Sequence, residues 1–89
     1  MAWTVELSKV ADRQFNKLDR PTQQSIADFI DHRLSVVDDP RSLGRALSGP
    51  HLGKFWRFRV GDYRLIGDIQ DNRVVIFILE IDHRSAIYR

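Results

Sequence analysis

Hydrophobic and polar residues alternate from Trp3 to Leu7, with Trp3, Val5 and Leu7 on one side and Thr4 and Glu6 on the other. Such alternation marks a short strand with one buried face. Ser8 is a good helix cap, and Ala11, Phe15 and Leu18 recur at helical spacing, so a helix is expected from Lys9 to about Leu18. A second helix is expected from Asp19–Pro21 to about Asp38. Pro21 suits its first turn, where the missing N–H does no harm. Ile26, Phe29, Ile30, Leu34 and Val37 form one apolar stripe on it, with His32 off the stripe. So short a link between the helices implies an antiparallel helical hairpin. Asp38-Asp39-Pro40 ends the second helix. Pro40 to Lys54 reads as a loop rich in Pro, Gly and Ser, anchored by Leu43 and Leu47, with room for one helical turn.

The pattern then returns to alternation. Phe55 to Ile69 reads as two strands joined at Gly61-Asp62, and glycine at the first loop position suits a type II′ hairpin turn. That loop pairs Val60 with Tyr63, Arg59 with Arg64 and Phe58 with Leu65. Trp56, Phe58, Val60, Tyr63 and Leu65 then share a core face, while Arg57, Arg59 and Arg64 share the other. Asp71-Asn72 is a second tight turn. Val74 to Ile81 is almost wholly apolar, as expected of a central strand covered on both faces. The helix pair covers one side of the sheet. The short tail from Asp82 to Arg89 covers part of the other and leaves a concave surface rimmed by the arginines. The expected fold is one α+β domain over residues 1–89.

Composition narrows the chemistry. The chain contains no cysteine, and His32, His51 and His83 are scattered, so neither a disulfide framework nor a metal site is expected. No apolar run approaches the ~20 residues a membrane span needs. The start, Met-Ala-Trp-Thr-Val-Glu, lacks the features of a signal peptide, so a cytoplasmic protein is expected. Net charge is only +2, but residues 41–64 hold Arg41, Arg45, Lys54, Arg57, Arg59 and Arg64 against Asp62 alone. A localised positive field of this kind is the footprint of a phosphate-backbone binder, and an acidic protein partner would use it equally.

Folding alone gives a sheet no reason to gather three guanidinium groups on one face, whereas an anion that binds there does. A solvated basic face with arginine stems shielding apolar surface would use the same residues. Nucleotide-loop, Ser-His-Asp and paired-carboxylate motifs are absent. Arg57, Arg59 and Arg64 can clamp a phosphate and stabilise charge developing on it. Arg84, Tyr88 and His83 follow the buried strand and are expected to close over the same face. Arginine stays protonated, so proton transfer falls to Tyr88, whose pKa clustered cations lower, or to His83. This set suits cleavage of RNA by its own 2′-OH without metal or cofactor.

From Trp3 to Arg89 the chain resembles the RelE/ParE superfamily of bacterial type II toxins. The resemblance rests on Asp39-Pro40, Gly44-Arg45-Ala46-Leu47-Ser48-Gly49, Trp56 to Leu65, His83-Arg84 and Tyr88-Arg89, in that order and spacing. It implies a RelE-like fold and a cognate, RelB-like antitoxin in a toxin–antitoxin hetero-oligomer. RelE-like members cut mRNA in the ribosomal A site, whereas ParE-like members poison DNA gyrase. The RelE set falls on Arg57, Arg59, Arg64, Arg84 and Tyr88, which makes an mRNA endonuclease the expected function and a gyrase inhibitor the alternative. Arg45, Lys54, Arg57, Arg59 and His83 are the expected RNA-binding positions. The chain departs from the family pattern in having Arg57 and Arg59 where some members have lysine. It also has Gly67 where a second tyrosine is common, and it lacks a long segment after Tyr88.

Overall fold

Two helices pack on one side of a five-stranded sheet whose strand order is β1-β5-β4-β3-β2. A computed structural model describes residues 2–50 and 53–83. The strands are β1 (Thr4–Leu7), β2 (Gly44–Ala46), β3 (Trp56–Val60), β4 (Tyr63–Gln70) and β5 (Val75–His83). The helices are α1 (Lys9–Asn16) and α2 (Arg20–Phe29). β1 pairs with β5 in parallel, and the other pairings are antiparallel. No helix among the described residues is long and apolar enough to cross a membrane.

Ser8 starts α1 as its residue type dictates. Its hydroxyl accepts from the Ala11 N–H at 2.9 Å and donates to the Leu79 carbonyl at 2.8 Å, fixing the helix start to β5. Gln14 extends the same contact, since its Oε1 accepts from the Ile81 N–H at 2.6 Å. α2 begins with Pro21 in its first turn and is held to α1 by Gln23, which donates to the Phe15 carbonyl at 2.9 Å.

The second helix does not run regularly to Asp38. It ends at Phe29 and continues as a wide π turn over Ile30–Leu34. The Ser35 N–H and hydroxyl both take the Ile30 carbonyl, at 2.9 and 2.7 Å. That shared acceptor, five residues back, widens the turn. Leu34 remains fully buried, whereas Val36, beyond the turn, is exposed.

The core lies between the helices and the sheet. Phe58, Leu65, Ile76 and Ile78 meet Ile26, Phe29 and Leu34 there. The Phe29 and Phe58 rings lie 6.3 Å apart at 49°, within the range of favourable tilted aromatic pairs. Gly67 gives Phe58 its space, because a Cβ at position 67 would lie 3.2 Å from that ring and 3.3 Å from Ile78.

The expected helical turn after Pro40 and the expected tight turn at Asp71-Asn72 are both present, but each is followed by a feature that was not expected, an edge strand and a left-handed residue. The segment read as a loop from Pro40 contains a 3₁₀ turn, Pro40–Leu43, and the edge strand β2. Asp71–Arg73 is also a 3₁₀ turn, and it leaves Val74 in the left-handed region at φ 54°. A β-branched residue there costs of order 1–3 kcal/mol. Surrounding contacts impose it: the Val74 N–H donates to Asp71, its carbonyl accepts from the Thr4 N–H at 3.1 Å, and its side chain packs on the core.

Candidate nucleic-acid interface

The arginine face begins at the β3–β4 turn. Gly61 has φ +58° and Asp62 does not share its positive φ, as a type II′ turn requires. The register follows, with Val60 opposite Tyr63, Arg59 opposite Arg64 and Phe58 opposite Leu65. On the side away from the helices stand Arg57 and Arg59 of β3 and Arg64 of β4. β2 adds Arg45, directly opposite Arg57. A cleft of about 660 Å³ opens here, lined by Ser42, Leu43, Gly44, Arg45, Arg57 and Arg59.

The arginines differ in access. Arg45 and Arg59 are exposed and Arg57 is half-buried, but Arg64 is only 2% exposed. Arg64 lies opposite Asp82 in the ladder, and Ile66 lies opposite Glu80. The Asp82 carboxylate accepts from the His83 N–H at 3.1 Å. Charge on this side of the sheet is therefore divided, with guanidinium groups over β2, β3 and the start of β4 and carboxylates over β5.

Two expected contributors lie elsewhere. His83 was expected to close over the arginines, yet it lies on the opposite, helix-covered side, its ring edge-on to Tyr63 at 5.2 Å and 87°. The cause is a bulge. Ile66 pairs with Glu80 and Gly67 with Ile78, so Leu79 is an extra residue that reverses the alternation along β5. Without it, counting by twos from Ile76 would put His83 among the arginines. Lys54 precedes β3, sets its ammonium over the Phe55 ring at 5.1 Å, and does not line the cleft. Arg84 and Tyr88 lie outside the described residues.

The sequence pattern does not single out Ser42 and Gly44 as cleft residues, because the segment from Pro40 reads as loop. A signal was present: Asp39 before Pro40 has the form of a helix cap followed by proline at the first position. The Asp39 carboxylate indeed accepts from the Arg41 N–H at 3.1 Å. Gly44 is required by close approach, since a Cβ there would meet the Arg57 carbonyl oxygen at 2.7 Å. Beside the cleft, Arg41 makes a two-pronged ion pair with Asp71. That pair raises the Arg41 pKa and lowers that of Asp71. Among the described residues no group of three or more His, Cys, Asp or Glu is placed to hold a metal ion.

Residues 5–88 match the model of the family of the ParE toxin of type II toxin–antitoxin systems, parDE. The chain belongs to that family. It is a toxin of the RelE/ParE superfamily, and its α+β fold is the RelE-like one. The toxin is 34% identical to toxin RelG of Mycobacterium tuberculosis, over 100% of this chain and 99% of that protein. It is similar to the crystal structure of the toxin–antitoxin complex RelBE2 from Mycobacterium tuberculosis, with a TM-score of 0.84 and 29% identity over 96% of this chain and 94% of that one. The archaeal RelE–RelB complex from Pyrococcus horikoshii gives a TM-score of 0.76 and 27% identity, over 96% of this chain and 98% of that one.

Proposed function

We propose that this toxin is an mRNA endonuclease that acts on the ribosome. The observation that carries the reading is the convergence of Arg45, Arg57 and Arg59 on one cleft, with Arg64 on the same side of the sheet. In the proposed reaction the 2′-oxygen of the RNA attacks the adjacent phosphorus. The bond from phosphorus to the 5′-oxygen breaks, giving a 2′,3′-cyclic phosphate and a 5′-hydroxyl. The proton leaves the 2′-OH for a base and a second proton reaches the leaving oxygen, a role that falls to Tyr88. The nucleophile belongs to the substrate, so the chemistry needs no metal-activated water.

Arg57 and Arg59 position the backbone, with Arg45 at the mouth of the cleft. Arg64 and Arg84 hold the scissile phosphate and stabilise its developing charge. Arg64 is only 2% exposed, the most buried of the described arginines. Its burial strengthens its field, since a guanidinium away from water acts in a lower dielectric.

The two solved relatives described above are toxin–antitoxin complexes, which supports a cognate RelB-like antitoxin for this toxin and a hetero-oligomer as its resting state. An antitoxin segment combining acidic residues with apolar anchors would neutralise the same arginines. A second reading, inhibition of DNA gyrase without cleavage, is favoured by the ParE name of the matching family. One experiment separates them. The toxin is expressed without a partner, the 5′ ends of a reporter mRNA are mapped, and gyrase-linked DNA breaks are counted in parallel. Cleavage products ending in a cyclic phosphate support the nuclease. DNA breaks with intact mRNA support the gyrase reading, and a free 3′-hydroxyl points to metal-activated water.

A further inference from the structure

Arg41 belongs to the basic block of the sequence, but its surroundings set it apart from the other arginines. Its Nη1 lies 3.0 Å from Asp71 Oδ1, and its Nη2 lies 2.5 Å from Asp71 Oδ2. Nη1 also lies 3.4 Å from Asp39 Oδ1. The guanidinium centre stands 5.9 Å from the centroid of the Trp56 ring. Two carboxylates and an aromatic face thus occupy it, so its charge is largely spent inside the protein.

The place of this clamp in the fold gives it a purpose. Arg41 sits in the Pro40–Leu43 turn, which runs straight into β2, and Ser42, Leu43, Gly44 and Arg45 form one wall of the cleft. β2 is a poor strand by itself. It has three residues, and Arg45 faces Arg57 across the ladder. Like charges directly opposite one another push strands apart. Two hydrogen bonds bracket it, from the Gly44 N–H to the Arg41 carbonyl and from the Leu47 N–H to the Phe55 carbonyl at 3.0 Å. The first of these depends on the residue that the clamp holds. Asp71 belongs to the β4–β5 turn, so the clamp fastens the cleft wall to the far end of the interior strands.

We propose that Arg41 and Asp71 are positioning residues that set the width of the arginine cleft, and that Arg41 does not touch the nucleic acid. The proposal rests on the reading of that cleft as an RNA-backbone site. Isolated surface pairs contribute little, but a two-pronged arginine–carboxylate pair within a network is the geometry in which they do.

The test compares the full-length wild type with Asp71→Asn, Asp71→Glu and the charge swap Arg41→Asp/Asp71→Arg. Amide exchange at Gly44 and Leu47 reads the cleft wall without RNA. It should quicken about fivefold in Asp71→Asn, the equivalent of losing a strong surface pair, and return toward wild type in the swap. Unchanged exchange overturns the proposal. Binding of a short fluorescein-labelled RNA oligonucleotide at fixed salt reads the consequence. Asp71→Asn should weaken it about fivefold, and on programmed ribosomes the change should fall in KM rather than kcat, with recovery in Asp71→Glu and in the swap. If Arg41 instead contacts RNA, freeing it from Asp71 tightens binding, and that result overturns the proposal. A wild type that binds no RNA while the exchange changes as expected overturns the functional reading and leaves the clamp standing.

Discussion

The same strands present two different surfaces. Toward the helices, β3, β4 and β5 offer Phe58, Leu65, Ile76 and Ile78, all fully buried. Toward the other side β3 and β4 offer Arg57, Arg59 and Arg64, with Arg59 facing Arg64 and Arg45 facing Arg57, while β5 offers Glu80 and Asp82. Backbone and hydrogen bonding are shared, so only the side chains distinguish the two. The helix side gains free energy with every group it removes from water. The arginine side sets like charges opposite one another, which folding opposes. Residues that hinder the fold are best explained by something that binds them. The difference between the sides thus separates what builds this toxin from what it is built to do.

Substitutions should break the two sides in opposite ways. The largest effect is expected at Phe58, where Phe58→Ala should cost about 3–5 kcal/mol, read from the urea midpoint. Specific cleavage by the molecules that remain folded should be little changed. Arg64→Ala should lower the cleavage rate about 100–1,000-fold, or ~2.7–4 kcal/mol of transition-state stabilisation, with the circular dichroism spectrum retained. Full cleavage by this variant would remove Arg64 from the mechanism. A smaller and mixed effect is expected at Arg59. Arg59→Gln should gain roughly 0.2–1 kcal/mol of stability by relieving the clash with Arg64, yet bind RNA more weakly, with a salt slope smaller by about 0.7.

The smallest effect concerns pH. Asp71 has its pKa lowered below 3.8 by Arg41, so in this region the unfolded chain binds more protons than the folded one. Its contribution is present above that pH and lost as pH falls through the lowered value. The difference in Tm between wild type and Asp71→Asn should therefore shrink on acidification below pH 3.8. A difference that persisted at lower pH would detach the pair from stability.

The hairpin could be read from the chain because one turn determines it. Gly61 accepts a positive φ, and once the loop is placed every partner across the ladder follows. Ser8 and Pro21 likewise announce helix starts through local chemistry. Features that depend on distant partners were hidden. β2 is too short to show alternation and exists because β3 lies beside it. The π turn depends on Ser35 competing for a carbonyl that an ordinary helix would use differently. The bulge at Leu79 left a trace, in that Ile76, Ile78 and Ile81 are spaced by two and then three. That irregularity, read as a change of side, would have moved His83 away from the arginines.

The parallel pairing of β1 with β5 also governs how the molecule forms. Thr4 lies beside Val75 and Leu7 beside Ile78, so the first strand finds its place only after the last has been made. β1 also completes the surface on which α1 rests, through Ser8 and its bonds to Ile78 and Leu79. Contacts so far apart in sequence make folding slower, because a long loop must close before they are gained. A polypeptide emerging from its N-terminus therefore lacks its final sheet until β5 has been made. The edge that β1 completes is thus the last part of this sheet that the growing chain can close.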